Sequence, residues 1–153
     1  MNMGIFPFKR KEIFSEPEKH RLVEAIRIAE RLTSGEIRLF VENHCTYVDP
    51  IERAKEAFLS LNMEKTKQRN GVLVYVAIKD RQFAILGDQG IHEKVGDDFW
   101  LKEATLLRSH FQGGQIIEGI EACIQEIGIS LRTHFPHEAG SDENELPDDI
   151  VFG

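Results

Sequence analysis

Cysteine is scarce in this chain of 153 residues: Cys45 and Cys123 stand alone, too few and too widely separated for a disulfide framework or a zinc-binding pair. Both read as reduced thiols. Positive charge is also in deficit. The 19 Lys and Arg against 26 Asp and Glu leave a formal charge of −7 and a pI near 5.4. That excludes the basic footprint that nucleic acid demands and favours cations as partners. No apolar run approaches the roughly 20 residues of a membrane span. Residues 1–8 hold a few apolar side chains, but Lys9, Arg10 and Lys11 follow them, and no signal-peptide core comes next. The expectation is a cytoplasmic protein without membrane insertion. Also missing are a phosphate-cradling glycine loop, a nucleophile elbow and a zincin-spaced pair among the six histidines. Cys123 lacks the anion loop and following arginine that would activate a thiol, so it reads as part of a helix core.

What is present begins with one strong hydrophobic signature. Residues 72–78 are apolar throughout and rich in β-branched side chains, the pattern of a strand buried on both faces at the centre of a sheet. The break Lys79-Asp80-Arg81 is too short for a crossover helix, so the next apolar run, 83–86, returns antiparallel as a hairpin partner. Gly87-Asp88-Gln89-Gly90 then turns the chain and leaves Asp88 at the end of the sheet.

The flanking segments supply helices. Ser15-Glu16-Pro17-Glu18 is a capping box with proline in the first turn, followed at helical spacing by Leu22, Ile26, Ala29 and Leu32. Residues 36–42 alternate, Ile37, Leu39 and Val41 against Glu36, Arg38, Phe40 and Glu42, which predicts a strand with one polar face. Asp49-Pro50 opens a second helix with the stripe Ile51, Ala54, Phe58 and Leu61. A third follows Gly96-Asp97-Asp98, with Trp100, Ala104, Leu107 and Phe111 on one face, and a fourth carries Ile116, Ile120, Ile124, Ile127 and Leu131. Strand, helix, strand makes a βαβ unit with parallel strands. The expected fold class is α/β, a three-layer α/β/α sandwich around a small mixed sheet. One domain spans 14–135, between an N-terminal extension, 1–13, and an acidic tail, 136–153. The tail's composition predicts disorder in isolation, and Leu146 and Ile150-Val151-Phe152 are its apolar docking points.

These strand directions carry the start of 36–42, the start of 72–78 and the end of 83–86 to one edge of the sheet. Glu36, Asp88, Asp97 and Asp98 are the carboxylates expected there, with carbonyls near Asn70 and Gly87 as further donors. Oxygen ligands without His or Cys suit a hard cation, Ca²⁺ or Mg²⁺, better than zinc. The competing reading has Asp97 capping the third helix, Asp98 in its first turn and Asp88 serving only the turn. His92 and Glu93, in a loop expected between Gly90 and Gly96, read as surface residues. Asp80 and Arg81 fall at the opposite end, where a local turn competes with a phosphate contact by Arg81.

The order Ser34-Gly35-Glu36-Ile37, Asn70-Gly71-Val72-Leu73, Asp80-Arg81, Gly87-Asp88-Gln89-Gly90-Ile91 and Asp97-Asp98 resembles the TPM domain family, shared by a thylakoid repair phosphatase of plants and by bacterial proteins. The resemblance covers residues 14–135. It implies an α/β/α sandwich, a divalent cation site often occupied by calcium and, for some members, weak acid phosphatase activity. The chain carries Asp88 where many members have an aromatic residue, and it is expected to differ from the commoner pattern in having no signal peptide or membrane anchor. The leading expectation is therefore a cation-binding domain with weak metal-dependent phosphatase activity on a phosphomonoester. The alternative is a non-catalytic module that docks on a protein partner, with a structural metal or none.

Overall fold

Ser15 starts the first helix as the capping box requires: its hydroxyl accepts from the Glu18 N–H at 3.3 Å, and its own N–H donates to the Glu18 carboxylate at 2.8 Å. In the computed structural model, which describes residues 12–137 and 147–153, α1 runs Glu16–Glu30. Then come β1 (Glu36–Glu42), α2 (Pro50–Ser60), β2 (Gly71–Ala77), β3 (Gln82–Gly87), α3 (Gln89–Gln112), α4 (Ile116–His134) and β4 (Val151–Phe152).

The sheet order is β3-β2-β1-β4. β1 and β2 are parallel, Glu36 beside Gly71, and β3 returns antiparallel with Gly87 beside Val72. As its unbroken apolar run predicts, β2 is buried at every position. Alternation divides the side chains between two cores. Ile37, Leu39, Val41, Val72, Val74, Val76 and Ile85 face one core, which also takes Leu22 and Ile26 of α1, Leu107 of α3 and Ile120, Ile124 and Ile127 of α4. Phe40, Leu73, Tyr75, Ala77 and Ala84 face the other, with Ala54, Ala57 and Phe58 of α2 and Met63. This is the expected three-layer α/β/α arrangement. Among the described residues no helix is long and apolar enough to cross a membrane.

Four details differ from the sequence reading. The face of β1 that carries Glu36, Arg38 and Phe40, expected to be polar, is buried, because β1 lies inside the sheet between β2 and β4 with a core on either side. Leu32 does not join the core: α1 stops at Glu30, so the helical periodicity that would turn Leu32 inward has ended, and it is 53% exposed. The loop expected between Gly90 and Gly96 is helical. Asp88 caps α3 by accepting from the Gln89 N–H at 2.7 Å, and the helix breaks at Gly96, whose φ of 75° favours glycine. Gly90 is needed for close approach, because a Cβ there would lie 2.1 Å from the Gln68 carbonyl oxygen. Finally, the acidic tail contributes structure. Val151 and Phe152 pair with Phe40 and Val41 as β4, parallel to β1, and the Phe152 ring meets Phe14 edge-on at 6.2 Å. Leu146 lies outside the described residues.

Candidate functional site

The strand register sets the geometry of the site. Glu36 begins β1 with its N–H directed at the Asn70 carbonyl (3.4 Å), and the Asp88 N–H donates to Gly71 at 2.9 Å. Both acids thus stand at the same end of the sheet. β2 lies between them, however, and two strand spacings put their backbones about 10 Å apart. The Asn70 carbonyl, expected as a spare donor, already accepts from Glu36.

The four acids singled out in the sequence go to different places. Asp88 is 7% exposed and holds Arg69 at two points, Nε to Oδ2 at 2.7 Å and Nη2 to Oδ1 at 2.9 Å, while also capping α3. Asp97 lies beyond the Gly96 break with its side chain 96% exposed, 3.5 Å from His92 Nε2, and His92 Nδ1 accepts from the Trp100 indole. Asp98 is exposed. Glu36, 2% exposed, joins two acids that the sequence reading passed over: Glu30 at the end of α1 and Asp148 just before β4. One oxygen from each lies within 4.8 Å of the others.

This trio exists because three chain segments converge where β1 begins. β4 covers β1 only at Phe40 and Val41, so the Ile37 N–H on the uncovered stretch donates to Glu30 Oε2 at 2.7 Å. The same parallel register, continued backward, brings Asp148 alongside. Burial pushes the Glu30 carboxyl far above the usual carboxylate range, the bond it shares with Asp148 and the Glu36 charge push it further, and the Ile37 N–H opposes them. Arg38, 7% exposed, is pulled below the usual guanidinium value by burial, against Asp149, Glu30, Asp148 and Glu36. Arg27 approaches Asp148 at 4.0 Å from α1. Chemically, this is an all-oxygen, partly desolvated donor set with arginines at its margin.

The opposite end of the sheet carries the other expected residues. Arg81 occupies the β2–β3 turn at φ 52°, exposed, and Asp80 accepts from His44 Nδ1 at 2.9 Å and from the Cys45 N–H at 2.7 Å. Arg81 therefore stands at the far end from the acidic trio. Cys123 is 4% exposed in α4, and burial pushes its thiol well above the ordinary range, so it is an inert core residue as read from the sequence.

The model of the TPM domain family matches residues 8–129, most of the chain. The chain belongs to the TPM domain family. Among solved structures, this TPM domain is similar to the BA42 protein of the psychrophilic bacterium Bizionia argentinensis, with 39% identity, a TM-score of 0.86 and coverage of 95% of this chain and 99% of that one. The N-terminal domain of the cg2496 protein of Corynebacterium glutamicum shares the fold at 15% identity and a TM-score of 0.64, covering 88% of this chain and 84% of that one. The N-terminal domain of a P. gingivalis protein does so at 15% and 0.65, covering 82% and 83%. No curated protein matches the chain.

Proposed function

We propose that this TPM domain binds a divalent cation, with calcium chemistry, where β1 begins, and that Glu30, Glu36 and Asp148 are its carboxylate ligands. The observation that carries the reading is the convergence of these three side chains from α1, β1 and the segment before β4 to within 4.8 Å, with Glu36 2% exposed. Like charges so close and so poorly hydrated need either protons or a cation to neutralise them. An oxygen-only donor set fits Ca²⁺ or Mg²⁺ and offers zinc nothing soft. Such an ion would lend the site Lewis-acid polarisation of a phosphomonoester, the basis for slow acid phosphatase activity. The protein's own part is to position the three carboxylates and to hold Arg38 beside them.

A calcium titration followed by amide NMR tests this. The amides of Glu30, Ile37 and Asp148 should move first, and Glu36→Gln together with Asp148→Asn should remove the response while the fold is kept. A spectrum unchanged at millimolar calcium would overturn the proposal. Shifts centred on Asp88, Gln89 and Asp97 would relocate the ion to the corner between β3 and α3. Turnover of p-nitrophenyl phosphate should need the ion and vanish in the same double variant.

One observation favours a second reading. Arg38 stands among Glu30, Glu36 and Asp148, and Arg27 approaches Asp148, so the cluster can serve as a metal-free clasp that holds residues 147–153 against β1 in a protein-interaction module. Under that reading calcium leaves the spectrum untouched, while Asp148→Asn weakens the β4 contact.

A further inference from the structure

Glu103 of α3 is 1% exposed, and Glu126 of α4 lines the same cleft beside it. Glu103 Oε1 and Glu126 Oε2 are both buried, with no N–H or O–H donor reaching them among the described residues. They border a cleft of about 270 Å³ between the two helices, lined also by Phe99, Lys102, Ser130 and His134. Two carboxylates that share such a cleft cannot both stay charged, because a buried oxygen on each has neither solvent nor a donor to compensate it. The titratable groups facing the pair are Lys102 from α3 and Cys123 and His134 from α4. Lys102 opposes the effect without reversing it, and Cys123 is a buried neutral thiol.

We propose that a single proton shared between Glu103 and Glu126 fastens α3 to α4, and that its release in alkaline solution opens the cleft between them. Burial first, then the bond to Glu126 and the Glu126 charge, push the Glu103 carboxyl up to about 8 from its ordinary 4.5. The folded state therefore holds a proton that the unfolded chain has released. Stability from this pair is complete below the ordinary carboxyl range and falls as pH rises, up to about tenfold in the folded-to-unfolded ratio per pH unit, until Glu103 ionises. Beyond that point two charged groups press α3 and α4 apart.

The test uses the whole chain. The side-chain carboxyl carbon of Glu103, followed by NMR, should titrate at least about two pH units above an ordinary glutamate. Amide protection in α3 and α4, corrected for intrinsic exchange and compared with β2, should fall about tenfold or more between about pH 6.5 and about pH 9. Glu103→Gln, whose amide N–H donates where the shared proton did, should abolish that fall. Glu126→Gln should do the same should the first variant not fold. A Glu103 signal that titrates near 4.5 overturns the proposal, as does a variant that keeps the alkaline loss of protection.

Discussion

Arg69 and Asp88 meet across the end of the sheet in a two-point ion pair, with the Asp88 oxygens 2.7 and 2.9 Å from the guanidinium. Because Oδ1 also accepts from the Gln89 N–H at 2.7 Å, one side chain fixes both the entry to β2 and the start of α3. Asp88→Ala should therefore cost about 1–3 kcal/mol through the lost cap and the lost pair. Asp88→Asn keeps an oxygen for the cap and should cost less. Urea unfolding checks this, and equal midpoints for the parent and both variants would show that the cap carries no weight. Arg69→Ala should cost only about 1 kcal/mol or less, since the Arg69 side chain is 40% exposed.

At Gly128, α4 packs directly on Ala29 of α1. A Cβ there would lie 2.6 Å from Ala29 Cβ and 3.0 Å from Ala29 Cα. Gly128→Ala must push the helices apart and should lose about 1–3 kcal/mol. Gly113, with φ −84° and no neighbour nearer than 3.6 Å to a new Cβ, should accept alanine with little change or a small gain. Thermal midpoints of the two variants should thus move in clearly different ways. A shared shift would contradict the packing argument.

A pH-dependent outcome follows at Glu42. Burial pushes its carboxyl up, but bonds from Arg53 at 2.9 and 3.1 Å and from the Tyr75 hydroxyl outweigh it and hold Glu42 below the ordinary range. The unfolded chain thus takes up a proton at higher pH than the folded one. Stability from this cluster is present above about pH 4.5 and is lost as pH falls through the folded value. Arg53→Ala leaves Glu42 partly buried without its partner and uncovers the Phe40 ring 5.0 Å beneath the guanidinium. The variant should lose about 2–3 kcal/mol near neutrality and less at about pH 3, where Glu42 no longer needs a cation. Denaturant titrations at both pH values decide it, and a pH-independent difference would exclude the electrostatic account.

Shortening the chain before Pro147 removes Asp148 and β4 together. The calcium response at Ile37 should disappear, while the antiparallel β2–β3 pair, which makes no use of β4, should keep its amide protection. A calcium response that survives at Ile37 would show that Asp148 is dispensable as a ligand.

Three of the four strands were legible because their evidence is local; β4, two residues at the end of an acidic segment, was not. The unbroken run marks β2 as the central strand, the short Lys79-Asp80-Arg81 break makes β3 its antiparallel partner, and the helix between β1 and β2 makes those two parallel. The site was only partly legible. Glu36 was found from strand direction, but its two companions depend on long-range placement. Glu30 could have been suspected, since only a short turn separates it from Glu36. Asp148 could not, because an acidic segment reads as solvated until Val151 and Phe152 are seen to pair with β1. Asp88 went to Arg69 for a reason present in the register: Gly87 opposite Val72 puts the residue after β3 beside those just before β2, where Arg69 stands.

Because Asp148 is held beside Glu30 and Glu36 by the β4 pairing and by the covalent connection that follows α4, a single nick between His137 and Pro147 would change the molecularity of the site. The severed peptide would have to find the remaining body by diffusion, and its apparent affinity would become concentration-dependent below the millimolar effective molarity that a short tether supplies. Under the proposed function, occupancy by a cation would then report whether that tether is whole.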